Sequence, residues 1–264
     1  MDAARPWKTA WITGASSGIG RELALRLAGR GVRVAATARS VDNLKALAAS
    51  NPLISSYPVD VTDAAAMKDT FAAIERDLGP VDLAIFSAGV WQGMLVSDFS
   101  AQRGKDVMAI NYFGVLHALE PAMAAFASRR SGHIAIVSSV AGFRGLMKGA
   151  AYAPTKAALI SLSEALYPHL ARKGVKLTII NPGYIVTPMT QRETFSMPFI
   201  IPVEQAAETI ITGLSRGKYE IVFPWRTALL MKTLRVLPNW AFFRLVNIGI
   251  NLRGTGEPPS APNA

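Results

Sequence analysis

The chain contains no cysteine, only three histidines, and few charged side chains for its length, 17% of 264 residues. Without cysteine there is no disulfide framework, no thiol nucleophile and no thiolate metal site, so no metal centre is expected. That composition fits a reducing compartment. Residues Met1 to Trp11 lack the apolar core of a secretory signal. No uncharged apolar run reaches the roughly 18–20 residues that a spanning helix needs. A cytoplasmic protein, at most peripheral to a membrane surface, is expected. No Lys/Arg tract interleaved with aromatic residues is present, which argues against a nucleic-acid partner. No repeat is evident, and no linker rich in Gly, Pro or Ser divides the chain. Residues 1–253 therefore read as a single domain, followed by a Pro/Gly-rich tail, Gly254–Ala264, expected to be disordered.

Half of the residues are hydrophobic and mean hydropathy is +0.26, enough for a sizeable buried core. The formal net charge is +10. It reflects either a scattered basic surface or attraction to an anionic cofactor, an acidic partner or an anionic membrane. Short apolar runs at Thr9–Thr13, Val32–Ala36, Ile54–Pro58, Leu83–Ser87, His133–Ser138 and Leu177–Asn181 read as strands. Between them Ile19–Arg30, Ser40–Ala49, Ala64–Leu78 and Ala157–Arg172 carry apolar residues at helical spacing. Ser40 would cap one helix, while Gly31, Gly79 and Gly174 would end others. Strands without polar alternation, interleaved with helices, indicate an α/β fold: a doubly wound parallel sheet with helices on both faces.

Directly after the first strand stands Thr13-Gly14-Ala15-Ser16-Ser17-Gly18-Ile19-Gly20. A strand entering a helix through closely spaced glycines lets the backbone approach a pyrophosphate, which then meets the free N–H groups of the helix start. An acidic residue about 20 positions further on would accept the 2′-hydroxyl of NAD. Here the second strand ends in Ala36-Thr37-Ala38-Arg39, and a guanidinium suits a 2′-phosphate instead. NADP(H) is therefore the expected cofactor. The same octet also contains Gly14-x-Ser16-x-Gly18, the pattern of a hydrolase nucleophile elbow. That reading needs a partnered histidine, and His117, His133 and His169 all lie in apolar or helical settings.

Tyr152 and Lys156 stand four apart, which puts phenol and ammonium on one helix face. A nearby cation lowers a phenol from about 10 toward neutrality and suits it to acid–base work. Ser139 ends an apolar strand thirteen residues before Tyr152. Together with the glycine turn these residues resemble the short-chain dehydrogenase/reductase family, from residue 7 to about 190. Asp60-Val61-Thr62, Asn111 and Asn181-Pro182-Gly183-Tyr184-Ile185-Val186-Thr187 match further motifs, in the right order. The resemblance implies a Rossmann-like sheet of about seven strands. It implies that Tyr152 exchanges a proton with the reacting oxygen and that Ser139 hydrogen-bonds that oxygen. Lys156 would hold the nicotinamide ribose and depress the phenol pKa, and Asn111 would hold a water in a proton relay. Gly14, Ser16, Ser17, Gly18, Ile19, Gly20, Arg39, Asp60, Val61, Pro182, Gly183, Ile185 and Thr187 would line the cofactor. One departure is Phe86-Ser87-Ala88-Gly89 where the family has Asn-Asn-Ala-Gly; Ala88 and Gly89 still permit close approach, while Ser87 replaces only part of the asparagine's hydrogen bonding.

The activity so implied is reduction of a carbonyl compound, or oxidation of the matching alcohol, a small molecule bound beyond the carboxyl ends of the strands. Val140–Met147, Tyr184 and Thr190–Pro202 would wall the pocket, with Ser139, Phe143, Met147, Tyr152 and Tyr184 on the substrate. Leu146, Met189, Phe195, Met197, Phe199 and Ile200 make that wall apolar. The ending resembles the hydroxysteroid-dehydrogenase-type branch. Residues 226–253, apolar and aromatic but interrupted by Arg226, Lys232, Arg235, Arg244 and Arg253, suit helices that close the pocket, meet a second subunit of a homo-oligomer, or lie on a membrane. Two alternatives are a carrier-protein-linked 3-oxoacyl reductase, with Arg129, Arg130 and Arg172 as carrier contacts, and a non-catalytic NADP-binding protein.

Overall fold

A computed structural model describes residues 6–191 and 197–253, with side chains through residue 248. Phe195, expected on the pocket wall, and the tail Gly254–Ala264 lie outside the described residues. Seven strands form one sheet: β1 (Thr9–Thr13), β2 (Arg33–Ala38), β3 (Ile54–Pro58), β4 (Leu83–Phe86), β5 (His133–Val137), β6 (Lys176–Pro182) and β7 (Glu220–Phe223). All pairings are parallel and the order is β3-β2-β1-β4-β5-β6-β7. The chain first builds outward from β1 to β3, then restarts at β4 on the other side. The gap between β1 and β4 is therefore the switch point, where a ligand finds a crevice at the carboxyl ends.

Helices α1 (Gly18–Gly29), α2 (Val41–Ala49) and α7 (Val203–Ser215) cover one face; α3 (Ala64–Leu78), α5 (Gly114–Arg129) and α6 (Ala153–Arg172) cover the other. Successive strand residues point to opposite faces, and the two cores divide accordingly. Ala10 and Ile12 of β1 pack with Leu23, Leu27 and Ile210, whereas Trp11 packs with Phe71, Phe86 and Val115. A sheet buried on both faces has no polar side to alternate, and the apolar runs reflect that.

Helix α4 (Ala101–Met108) passes into α5 through a π-helical turn, Ala109–Phe113; α8 (Trp225–Val236) and α9 (Asn239–Arg253) follow β7. Of the expected boundaries, Ala64–Leu78 is reproduced: Asp63 accepts from the Ala66 amide at 2.9 Å, and Gly79 ends the helix at φ 77°. Ser40 occupies the residue before α2, but its side chain makes no capping hydrogen bond. Helix α6 begins at Ala153 rather than Ala157, because Pro154 fits a first turn that has no use for its missing N–H. Strand β7 was not among the strands read from the sequence. It has four residues, at the sheet edge, and alternates between partial and full burial.

Candidate active site

The glycine turn closes the carboxyl end of β1 and opens α1 at Gly18. Gly14 and Gly18 adopt φ of 69° and 54°, conformations that other residues adopt at a cost. A Cβ on Gly14 would lie 2.7 Å from the Cα of Ala88, and one on Gly20 would lie 2.5 Å from the Gly14 carbonyl oxygen. The turn is thus pressed against the end of β4. The Thr13 hydroxyl accepts from the Ser87 and Ala88 amides at 3.1 and 3.2 Å, tying the two strand ends together. On the open side, a Cβ on Gly18 would come within 3.4 Å of the Thr187 methyl group. The segment after β6 therefore stands beside the glycine turn. This bare-backbone cradle at a helix N-terminus, with room kept by glycine, fits the pyrophosphate of a dinucleotide.

Arg39 follows β2 and keeps 62% of its side chain exposed, 4.0 Å from the Asp60 carboxylate. Burial raises the Asp60 pKa, but hydrogen bonds from the Thr62 amide and hydroxyl, with Arg39, outweigh it and hold it below the usual carboxylate value. The carboxylate is oriented by Thr62, and the guanidinium remains at the rim of the crevice. Val61 is buried; its carbonyl meets His117 Nδ1 at 2.8 Å.

Tyr152 immediately precedes α6 and Lys156 lies one turn on, with Nζ 5.5 Å from the phenol ring centre. Lys156 is buried and donates to the Val137 carbonyl at 2.9 Å. Ser139 follows β5. Its hydroxyl accepts from the Ala141 amide at 3.1 Å and donates to the Pro182 carbonyl at 3.3 Å, and it stands close enough to the Tyr152 phenol to favour its ionised form. A 3-10 turn, Val140–Gly142, sits on α6, and Gly142 permits it: a Cβ there would lie 2.7 Å from the Lys156 carbonyl carbon. A Cβ on Gly89 would fall 3.3 Å from Asn111 Oδ1 and 3.5 Å from Lys156 Nζ. Residues from β4, the π turn, β5 and α6 thus meet beyond the carboxyl ends of the central strands.

In the free protein burial pushes the Tyr152 phenol up to about 12, with Ser139 pulling the other way. Burial also brings Lys156 down to about 8, because its ammonium is desolvated while bonded to a carbonyl. The Asn111 carboxamide is committed within the protein. Oδ1 accepts from the Val90 amide at 2.7 Å, and Nδ2 donates to the Val90 carbonyl and Thr155 hydroxyl. It positions the chain after Gly89 from a π turn, a geometry often found at functional sites.

On the expected substrate wall, Met147 is 55% exposed, and Met189, Phe199 and Ile200 are exposed at about 40% each. Tyr184 and Met197 are half-buried, and Ile185 is buried and bridged to Ile201. Phe143 is the exception. It is buried in the core with Ile160, and the Arg235 guanidinium stacks 5.6 Å from its ring centre, so it supports the wall from behind. Sequence reasoning missed Trp91, whose ring meets the Tyr152 ring edge-on at 5.0 Å. No local pattern could reveal a contact across 61 positions; only its place two residues after Gly89 hinted at it. The hydrolase reading finds no triad among the described residues: His133 bonds the Thr178 hydroxyl and His117 the Val61 carbonyl. The arginines offered to a carrier protein stand elsewhere. Arg129 pairs with Glu75 at 2.7 Å and donates to Val81, while Arg130 donates to the Arg172 carbonyl, all at the amino ends of the strands.

The short chain dehydrogenase family matches residues 8–196 of this chain. The chain is 37% identical over 240 residues to an oxidoreductase of Myxococcus xanthus, covering 89% of this chain and 95% of that one. An oxidoreductase of Staphylococcus epidermidis is 31% identical over 213 residues, covering 80% and 93%. Among solved structures, a short-chain dehydrogenase from Streptomyces avermitilis superposes with a TM-score of 0.77 at 23% identity, over 93% and 96% of the two chains. An actinorhodin polyketide ketoreductase with NADPH gives 0.74 at 24% identity, over 84% and 96%, and ElxO with NADP bound gives 0.74 at 25%, over 82% and 97%. The chain belongs to the short-chain dehydrogenase family. It is an oxidoreductase of the kind that binds a nicotinamide cofactor and acts on small molecules.

Proposed function

We propose that the protein is an NADP(H)-dependent reductase of a hydrophobic ketone, able to oxidise the matching secondary alcohol, and that residues 1–253 work as one cytoplasmic catalytic domain. The observation that carries this reading is the meeting of Ser139, Tyr152 and Lys156 beside the glycine turn. Gly14 to Gly20 would cradle the pyrophosphate, with Ser16, Ser17 and Ile19 on the phosphates and ribose. Asp60 and Val61 would flank the adenine, Ser87 to Gly89 the adenosine ribose, and Pro182, Gly183, Ile185 and Thr187 the carboxamide end. Arg39, with no acid at the end of β2, supports NADP over NAD. Two similar folds have NADPH or NADP bound, the second at 25% identity. When bound, the nicotinamide supplies or receives the hydride.

The residues handle the proton and the position of the reacting oxygen. Ser139 Oγ donates to that oxygen, giving up its contact with Pro182, and so fixes it against the Tyr152 hydroxyl. Tyr152 donates its proton during reduction and takes one during oxidation. A phenol near 12 is a poor base. Bringing Lys156 Nζ from the Val137 carbonyl to the ribose side of the phenol lowers it, because an adjacent cation favours phenolate. Asn111 holds Val90 and hence the loop carrying Trp91, which closes one side of the phenol. Apolar Met147, Met189 and Phe199 favour a hydrophobic substrate.

The test titrates the purified protein with NADPH and NADH by tryptophan fluorescence, then follows nicotinamide absorbance with a panel of hydrophobic ketones. Tight NADPH binding is expected, with ketone-dependent oxidation abolished by Tyr152→Phe while nucleotide affinity is retained. Turnover that survives Tyr152→Phe, or failure to bind either nucleotide, would overturn the proposal.

A further inference from the structure

Helices α8 and α9 carry a surface that the reductase reading does not use. From Ile221 to Arg253 the chain has five basic residues, Arg226, Lys232, Arg235, Arg244 and Arg253, and no aspartate or glutamate. This segment supplies five of the ten net positive charges of the whole protein. The two helices are fixed to the body by their inner side. Thr227, Met231 and Phe242 are buried, Arg235 lies 3.6 Å from Glu164, and Lys232 pairs with Glu220. Arg144, from the turn after Ser139, donates to Asn239 at 2.6 Å and stacks 4.3 Å from the Phe242 ring centre.

The outer side is apolar and open. Trp225, Leu229 and Val236 recur at i, i+4 and i+11, which is one helix face, with Lys232 at its edge toward the body. The three apolar members are 68%, 62% and 79% exposed. On α9, Trp240, Arg244 and Ile248 recur every fourth residue with Phe243 alongside, and Trp240 is 73% exposed. Large aromatic side chains left in water over two adjacent helices mark a surface that meets something.

We propose that this face docks on an anionic lipid membrane surface, with the helices lying in the interface. Three features favour that occupant over a second copy of the chain. A two-fold self-contact would set the same patch against itself. The two helices carry no acidic residue of their own, and with Lys232 and Arg235 already met by Glu220 and Glu164 of the body, Arg226 and Arg244 have no acidic partner among the described residues. Each helix carries an exposed tryptophan in its first turn, the side chain that settles at headgroup level. No helix among the described residues is long and apolar enough to cross a membrane, so the contact is peripheral. The face continues toward the candidate pocket: Arg226 stacks 5.4 Å from Trp225 and 5.6 Å from Phe199. Docking would therefore set the apolar wall beside the lipid, a consequence that rests on the reductase reading, whereas docking itself does not.

The experiment is co-sedimentation of the full chain with vesicles of phosphatidylcholine alone and of phosphatidylcholine mixed with phosphatidylglycerol. The blue shift of tryptophan emission is followed in parallel, and sedimentation velocity without lipid gives the oligomeric state. The comparison variant is Leu229→Gln/Trp240→Gln/Phe243→Gln, three exposed positions outside the candidate site. Binding to the mixed vesicles, weakened by raised salt and roughly tenfold or more by the variant, is the expected result. Nucleotide titration, in which the variant should match the parent, reports separately on the reductase reading. No binding, equal binding to both vesicles, or binding untouched by the variant would overturn the proposal. So would self-association that the variant abolishes without vesicle binding, which would assign the face to a second copy.

Discussion

Lys156 has two requirements in conflict: it must be buried to reach the phenol, and burial discourages its charge. In the free protein its pKa falls to about 8 because the ammonium is desolvated. Unfolding returns it to about 10.4, so between those values the unfolded chain holds more protons, and the contribution of Lys156 to stability grows as pH rises through that window. Ribose oxygens are acceptors that favour the ammonium, so nucleotide binding should draw a proton from solvent where the free side chain is neutral. Calorimetric titration with NADPH near pH 9, in two buffers of different ionisation enthalpy, should show uptake approaching one proton per site, and none in Lys156→Gln. Equal heats in both buffers for the parent would remove Lys156 from the ribose site. Arg39 is tested by the opposite charge: Arg39→Glu should raise the KM for NADPH more than tenfold and leave that for NADH little changed, whereas unaltered NADPH kinetics would sink the assignment. Residues whose spacing carries chemistry, such as Tyr152, Lys156 and the glycines, were legible in the sequence. Thr155 on Asn111, Trp91 on Tyr152 and Arg235 on Phe143 were not, since each pairs positions far apart in the chain.

At the scale of elements, the joint between the turn after β5 and helix α6 positions the site. Gly142 lets the turn carrying Ser139 touch the backbone of Lys156, and an added methyl would meet main chain at 2.7 and 2.8 Å. Backbone cannot step aside as a side-chain tip can, so Gly142→Ala should push the two elements apart. Overpacking of this kind costs about 1–3 kcal/mol of stability, and moving Ser139 away from Tyr152 should lower kcat more than it raises the nucleotide KM. Unfolding curves and steady-state kinetics on the same preparation read both effects; an unchanged kcat would show that the joint does not set the geometry. The contrast is Asp63→Ala, which removes a helix cap and should cost about 1 kcal/mol without a kinetic change. Element limits were legible where local chemistry sets them, as with Asp63 and Gly79 around α3. They were not where tertiary contact sets them. Strand β7 joins the sheet through β6, and the π turn at Asn111 goes with the hold of distant Val90 and Thr155 on the Asn111 side chain.

Over the whole molecule, the sheet separates a carboxyl edge that carries the candidate site from an amino edge where Arg129, Arg130 and His133 are held by contacts within the protein. The alternation of strands and helices made that architecture readable, and with it the amino-edge position of Arg129 and Arg130, which lead directly into β5. His133 also belongs to the amino edge, where it starts β5 fully inside the core. The Thr178 hydroxyl donates to the Lys218 carbonyl at 2.6 Å, so its oxygen is free to accept, and His133 Nε2, 2.8 Å away, is the donor. The neutral ring therefore carries its proton on Nε2. A second proton would have to be added in the desolvated interior, with the Lys176 charge nearby, and these two effects depress the pKa to about 4. The unfolded chain, with histidine near 6.5, binds more protons between those values, so stability falls as pH drops through that range. Between pH 7 and pH 5 this residue alone should account for a loss of roughly 2 kcal/mol. His133→Gln keeps an N–H for Thr178 but does not titrate. Urea unfolding at the two pH values should show the variant losing less stability than the parent by about that amount, while its NADPH affinity at pH 7 matches the parent because the site lies at the opposite edge. If both proteins lost the same stability, the acid sensitivity would belong to other groups, and His133 would be a core side chain without a role in it.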